Sequence, residues 1–253
     1  MTQTDLPRRI DGLPTVTVVI PAFNEERIIA RCLTALTTAP DPADEIIVVD
    51  NGSSDATAQI AARFPGVRVV TEPRSGVTYA RTAGFDEAGG EIIARIDADT
   101  IVTSCWMRRI RSIFHRRAAL DAIGGGATIA ELSPGRLLWC GWWYRGFRWW
   151  HERSIGVRPM VYGFNGAMRR SAWRSARRLI AMGDHEVSED VDLTIALLRT
   201  GHRIVFVPRL LVKARLFRSI DREKLARYYR TDSLTLTRHG HGNPRRWVRR
   251  DER

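Results

Sequence analysis

The sequence predicts an α/β fold, a Rossmann-like, mostly parallel sheet flanked by helices. Short β-branched apolar runs alternate with segments of helical period through the first hundred residues. Those runs are apolar throughout rather than every second residue, the pattern of strands covered on both faces. Strand–helix alternation of this kind builds parallel sheets with helices on each side.

The elements follow in order. Residues 15–20, TVTVVI, form a first strand, and residues 25–37 repeat apolar positions at helical spacing. DEIIVVD (44–50) is a second strand. SSDATAQIAARF opens with cap-forming residues and reads as a helix. VRVVTE is a third strand, SGVTYARTAGFDEAG a third helix, and EIIARID a fourth strand. The second half is less regular. SCWMRRIRSIFHRRAAL reads as a helix, DAIGGGATIAEL as a strand, and VYGFNGAMRRSAW as a strand and turn. SEDVDLTIALLRTG is a helix that Ser188 caps and Gly201 ends. HRIVFVP is a strand, and the residues from about 238 form a basic tail. One domain over 15–237 follows, after an N-terminal tail at 1–14. It divides into a regular half, 15–100, and a less regular half, 101–237, and a basic tail fills 238–253.

Composition narrows the function. At 253 residues and 44% apolar content the chain can bury a substantial core. No apolar run reaches the ~18–20 residues of a membrane span. The opening residues carry no apolar stretch of the secretory kind. Three widely spaced cysteines, Cys32, Cys105 and Cys140, fit neither a disulfide framework nor a metal knuckle, so a cytoplasmic setting is expected. Charge is uneven. Residues 1–100 hold 9 arginines against 15 acids, whereas residues 101–253 hold 31 basic residues against 13 acids. A basic half attracts phosphates, anionic lipid or nucleic acid. It also has a plainer reading as an arginine-rich solvated surface.

The acids gather where ligands bind. In an open parallel sheet that place is the carboxyl edge of the strands. Asn24 with Glu25, Asp50, and Asp97 with Asp99 all fall at strand ends. Asp97-Ala98-Asp99 puts two like charges side by side. Such a pair can hold one hard divalent ion while water and ligand phosphates fill its other positions. It can also be a solvated turn. Asn24-Glu25 can be a helix start, Asp50 a turn residue, and Arg81 a partner in a surface ion pair. In Ser188-Glu189-Asp190 the acids also suit a helix N-terminus.

Four stretches, taken together, resemble the inverting glycosyltransferases of family 2, which share the GT-A fold. Pro21-Ala22-Phe23-Asn24-Glu25 matches P-x-x-N-E after a strand. Asp50-Asn51-Gly52-Ser53-Ser54-Asp55 is similar to D-x-S-x-D, and Ala80-Arg81-Thr82-Ala83-Gly84 to A-R-N-x-G, with threonine for asparagine. Glu189-Asp190-Val191-Asp192-Leu193, then Gly201-His202-Arg203 and Val207-Pro208, matches E-D-x-D-L, G-x-R and V-P. The resemblance covers residues 16–208. It implies transfer of one sugar from a UDP-, GDP- or dTDP-linked donor to an acceptor glycan or lipid-linked saccharide. By that resemblance Pro21, Ala22, Asn24, Glu25 and Asp50 hold base and ribose, while Arg81 and Asp97 face the diphosphate. Asp97 and Asp99 hold Mg²⁺ or Mn²⁺. Asp190 is the general base, with Glu189 and Asp192 as alternatives. Gly163, Asn165 and Glu189 lie on the acceptor side. Many relatives carry a histidine soon after the V-P strand. This chain has RLLVKARLF there, leaving His239 and His241 as substitutes. The Q-x-x-R-W element of processive members is missing, so single transfer is expected.

Five of the eight tryptophans crowd into residues 139–150, beside Arg145 and Arg148, too dense for chance. The segment reads as core packing, as a layer resting on an anionic membrane surface, or as an acceptor platform. Three other functions compete. A dinucleotide oxidoreductase needs G-x-G-x-x-G after the first strand, where PAFNEE stands. A nucleic-acid-binding basic protein leaves the gathered carboxylates unexplained, and no nucleic-acid partner is expected. A catalytically inactive GT-A-like protein has no reason to keep Asp97, Asp99 and Asp190.

Overall fold

In the computed structural model, residues 12–129, 137–182, 187–214 and 222–240 are described. The predicted alternation forms the first half of the sheet. β1 (Val16–Ala22), β2 (Glu45–Asp50), β3 (Val67–Thr71) and β4 (Ile92–Arg95) are linked by α1 (Ile29–Thr37), α2 (Thr57–Ala62) and α3 (Val77–Glu87). These four strands run parallel. Their apolar runs divide by alternation. Val16, Val18, Ile20, Ile46 and Val48 join the core beneath α1 and α2, while Val19, Ile47 and Val49 join the core beneath α3. Helices therefore cover both faces, as the continuous apolar runs require.

The second half differs from a purely parallel sheet. It contains β5 (Ile101–Val102), α4 (Trp106–Arg116), β6 (Ala122–Ile129), α5 (Leu137–Ile155), β7 (Gly166–Arg169) and α6 (Arg170–Ala176). After these come α7 (Glu189–Arg199), β8 (Ile204–Ala214) and α8 (Arg222–Arg238). The strand order is β3-β2-β1-β4-β7-β6-β8-β5. β7 runs antiparallel to both β4 and β6, β8 is parallel to β6, and β5 is antiparallel to β8. β8 continues past the predicted strand end at Pro208. Its pairing with β6 passes from Gly125–Val207 to Gly126–Leu211, so Pro208, Arg209 and Leu210 bulge out. A proline lacks the amide a ladder needs, and a bulge is where a sheet tolerates it.

One glycine and one asparagine set the spacing. A Cβ on Gly84 would overlap Val19 Cγ1 and Val49 Cγ2, so only glycine lets α3 lie this close to β1 and β2. Asn165, just before β7, is wholly buried. Its Nδ2 donates to the carbonyls of Gly126 and Leu210 (2.8 Å each), and its Oδ1 accepts from Trp106 Nε1 (2.9 Å). It joins β6, β8 and α4. Asn165→Ala leaves an indole N–H and two carbonyls unpaired in the interior, and should cost on the order of 3 kcal/mol. Urea denaturation would show this as a lower midpoint; a loss below about 1 kcal/mol would mean that water replaces the amide.

Candidate active site

β1, β2 and β4 are neighbours and parallel, so their carboxyl ends open on one edge. Pro21 and Ala22 close β1, paired with Val49 and Asp50. The chain then turns at Asn24, which has φ 53°, a left-handed conformation that asparagine tolerates better than most residues. This turn is tied to the loop after β2. Asn24 N donates to Ser53 Oγ (3.0 Å), and Ser54 N donates to Asn24 Oδ1 (2.9 Å). Glu25 N donates to Thr57 Oγ1 (2.8 Å). Asn51 in turn fastens the loop after β3. Its Nδ2 donates to the carbonyls of Glu72 (3.0 Å) and Arg74 (2.7 Å), and its Oδ1 accepts from Gly76 N (2.8 Å). Three loops thus form one interlocked rim. Within it Asp50 is buried, and its Oδ1 has no hydrogen-bond partner among the described residues. A buried, unsatisfied carboxylate oxygen is costly in isolation and well suited to a ligand N–H.

Asp97, Ala98 and Asp99 follow β4 directly, and both aspartates are half-buried. Cys32 lies beneath them, its Sγ 3.9 Å from the Asp97 carbonyl. Burial, then Asp99, then Asp97 push the Cys32 thiol far above its usual range. Their hard oxygen donors fit Mg²⁺ or Mn²⁺ held partly by ligand phosphates. Among the described residues no cluster of three His, Cys, Asp or Glu side chains forms a closed metal cage. His239 is committed elsewhere. Its Nε2 lies 2.7 Å from Asp192 Oδ1 and its Nδ1 3.1 Å from Arg199 Nη1. His185 and His241 fall outside the described residues.

The acids at the start of α7 reach the same edge. Arg81, one turn before Gly84 on α3, donates from Nη2 to Asp97 Oδ1 (2.6 Å). Its Nη1 donates to Asp190 Oδ1 (3.1 Å) and to Glu189 Oε2. A second guanidinium lies behind it. Arg95 Nη2 donates to Glu189 Oε2 and Asp190 Oδ1, both at 2.6 Å. Arg95 is 1% exposed. Burial and the neighbouring Arg81 push it down to about 9, still well above neutrality, so it stays charged. Glu189 is buried with it, whereas the Asp190 and Asp97 side chains keep 28% and 39% of their surface open. Gly163 completes the pocket wall, since a Cβ there would overlap the Arg81 guanidinium.

Asp192, weighed as an alternative base, is wholly buried. Its Oδ2 accepts from Ala181 N (2.8 Å) and its Oδ1 meets His239, leaving no route to an outside hydroxyl. Asn165, expected on the acceptor side, has its amide spent on the framework. Ser188 stands at the N-terminus of α7, but its side chain makes no capping bond; its backbone N–H donates instead to Thr235 Oγ1 (2.8 Å). Arg95 was absent from the expected site. The available signal was a lone arginine inside the apolar run IIARI, because a buried charge is nearly always paired.

The family model for Glycosyl transferase family 2 matches residues 17–174, more than half of the chain. The chain belongs to this family. Its mixed sheet and flanking helices are the GT-A fold. Among curated relatives, the probable glycosyltransferase YdaM of Bacillus subtilis is 31% identical over 215 residues. That alignment spans 78% of this chain and 49% of the relative. Glycosyltransferase AglE of Haloferax volcanii is 35% identical over 130 residues, 49% of this chain and 42% of the relative. The chain therefore spans less than half the length of either. Among solved structures, glucosyl-3-phosphoglycerate synthase of Mycobacterium tuberculosis superposes with a TM-score of 0.65 at 22% identity, covering 91% of this chain and 82% of that one. A mannosyltransferase from Pyrobaculum calidifontis, in complex with GDP-Man and Mn²⁺, gives 0.64 at 22% identity, covering 96% and 70%.

The pairing of Arg95 with Glu189 holds α7 against β4. Arg95→Met should lower stability by about 3–5 kcal/mol, because Glu189 would keep its buried charge with one partner fewer. Adding Glu189→Gln should restore at least half of the loss in chemical denaturation. A double variant no more stable than the single one would show that packing, not charge, is what Arg95 provides.

Proposed function

We propose that this glycosyltransferase transfers one sugar, with inversion, from a nucleotide-diphosphate sugar to an acceptor hydroxyl in the presence of Mg²⁺ or Mn²⁺. The acceptor is a glycan or a lipid-linked saccharide. One observation carries the reading: a single guanidinium, Arg81, bonds Asp97 on the donor side and Asp190 on the opposite wall. Donor and acceptor groups therefore share one cleft.

The roles follow from position. Asp50 offers its unpartnered oxygen to a base N–H, and the rim of Pro21, Ala22, Asn24 and Glu25 encloses base and ribose. Asp97 and Asp99 would hold a divalent ion, and Arg81 adds a fixed positive charge beside Asp97 for diphosphate oxygens. When bound, such an ion would supply Lewis-acid stabilisation of a departing diphosphate. Asp190, partly open to the cleft, accepts the proton of the attacking hydroxyl. Arg95, itself held by Glu189, fixes it from behind. The supporting likeness is chemical as well as geometric. The Pyrobaculum mannosyltransferase is bound to GDP-Man and Mn²⁺, and the Mycobacterium synthase has been solved with Mn²⁺, UDP and glucosyl-3-phosphoglycerate.

The first test is release of nucleoside diphosphate from a panel of UDP-, GDP- and dTDP-sugars with Mg²⁺ or Mn²⁺. Asp190→Asn should lower transfer by roughly a thousand-fold while nucleotide affinity stays within a factor of about three. Unchanged turnover would remove Asp190 as the base. Asp50→Asn should weaken nucleotide binding about ten-fold or more, through loss of a charge-assisted hydrogen bond. Calorimetric titration with the diphosphate would measure it, and equal affinity would place the base elsewhere.

A further inference from the structure

We propose that α8 positions the general base: Thr235 and His239 fix the backbone on either side of Asp190. This rests on the reading of Asp190 as the base. Ser188 and Asp192 bracket Asp190, two residues before it and two after. Ser188 N donates to Thr235 Oγ1 (2.8 Å), and His239 Nε2 lies 2.7 Å from Asp192 Oδ1. Thr235 gives its own hydroxyl proton to the Thr231 carbonyl (2.6 Å), which leaves its oxygen for Ser188. His239 follows the end of α8, and its N–H donates to the Thr235 carbonyl (3.1 Å). Thr235 and His239 therefore stand on one face, a turn apart.

The inner face of α8 is polar. Among its described side chains the buried ones are Asp232 and Thr235, with His239 just past its end. Leu236 adds a partly buried apolar contact. Asp232 Oδ2 lies 2.9 Å from His151 Nε2, which ties α8 to α5. Apolar burial is non-directional, whereas a hydrogen bond weakens steeply when its angle is lost. A helix docked through three bonded side chains therefore holds its neighbour in one register. The proton on His239 is assigned by its partners. Arg199 Nη1 lies 3.1 Å from Nδ1 and can only donate, so Nδ1 accepts and Nε2 carries the proton offered to Asp192. The support is needed at this place. The Ser188 side chain makes no capping bond, so the first turn of α7 lacks the usual one. Arg81 and Arg95 fix the Asp190 carboxylate, and Thr235 and His239 fix the chain that carries it. Both are buried away from any outside ligand, which makes them positioning residues.

Thr235→Val keeps the shape of the side chain and removes the acceptor, whereas Thr235→Ser keeps the acceptor. Hydrogen exchange of the full chain, read by mass spectrometry, should show residues 187–193 exchanging about ten-fold faster or more in Thr235→Val. Exchange of β2 should be unchanged, and Thr235→Ser should match the parent. This readout needs no donor and holds whatever the role of Asp190. With the nucleotide sugar that releases diphosphate in the donor panel, kcat should fall about ten-fold in Thr235→Val and recover in Thr235→Ser. Calorimetry with UDP or GDP and Mn²⁺ should give affinities within about two-fold of the parent. His239→Gln, which can still donate to Asp192, should lose less turnover than His239→Leu. In an Asp190→Asn background Thr235→Val should cause no further loss, because it acts through Asp190. Unchanged turnover in Asp190→Asn alone, with faster exchange in Thr235→Val, would overturn the base and not the tether. Parental exchange and turnover in a folded Thr235→Val would overturn the proposal. So would nucleotide affinity that falls in step with kcat, or a full further loss in the Asp190→Asn background.

Discussion

Two buried guanidinium groups organise this protein. Arg81 and Arg95 sit at the carboxyl edge of the sheet, largely out of water. A charge in that position is tolerable only with partners of opposite sign and good geometry. Glu189 and Asp190 supply them, from a helix more than ninety residues further along the chain. The need to neutralise Arg81 and Arg95 therefore fixes where α7 begins. Three carboxylates, Asp97, Glu189 and Asp190, face these two guanidiniums, so negative charge remains in excess among them. The excess is concentrated where Asp97 and Asp190 stay partly open. A site with that balance favours a divalent cation first and an anionic ligand with it.

The framework explains why the edge can be so crowded. Gly84 brings α3 against β1 and β2, and Gly163 makes room for the guanidinium that α3 presents. β7 enters the sheet antiparallel beside β4. That reversal delivers the segment ending at Gly163 to the strand ends of the parallel half, where a further parallel strand would have begun at the far edge. Asn165 then locks the turn to β6, β8 and Trp106. Its amide is spent on position, in three internal hydrogen bonds. Polar residues in a glycine-rich loop can have either duty, and only burial separates them.

Much of this was legible in the residues, for physical reasons. The first four strands and three helices were readable because a strand buried on both faces must be apolar throughout, and the intervening helices keep their own period. The acids at strand ends followed from sheet topology. Other features left weak traces. β5 has two residues, too few for a period. Pro208 reads as a strand end, yet a bulge carries β8 beyond it. α8 is polar over most of its length and was not recognised. Arg95 could not be assigned because its partners are distant in sequence and one arginine looks like any other. Asp192 and Asp190, two residues apart, looked equivalent. The structure separates them by burial, since one faces His239 inside the protein and the other faces the cleft.

α5 resisted sequence reading because its aromatic residues serve two opposite faces. Tyr144 is buried and packs edge to face on Phe164, while Trp149 stands in solvent. Hydrophobicity alone cannot order them, since indole and phenol rings suit both settings. The inner face supports the segment that ends at Gly163 beside Arg81: His151 Nδ1 meets Tyr162 OH at 3.0 Å, one residue before Gly163, and Glu152 accepts from Met160 N. The outer face carries the exposed rings and arginines. Only the thickness of a helix, about 10 Å, separates the two.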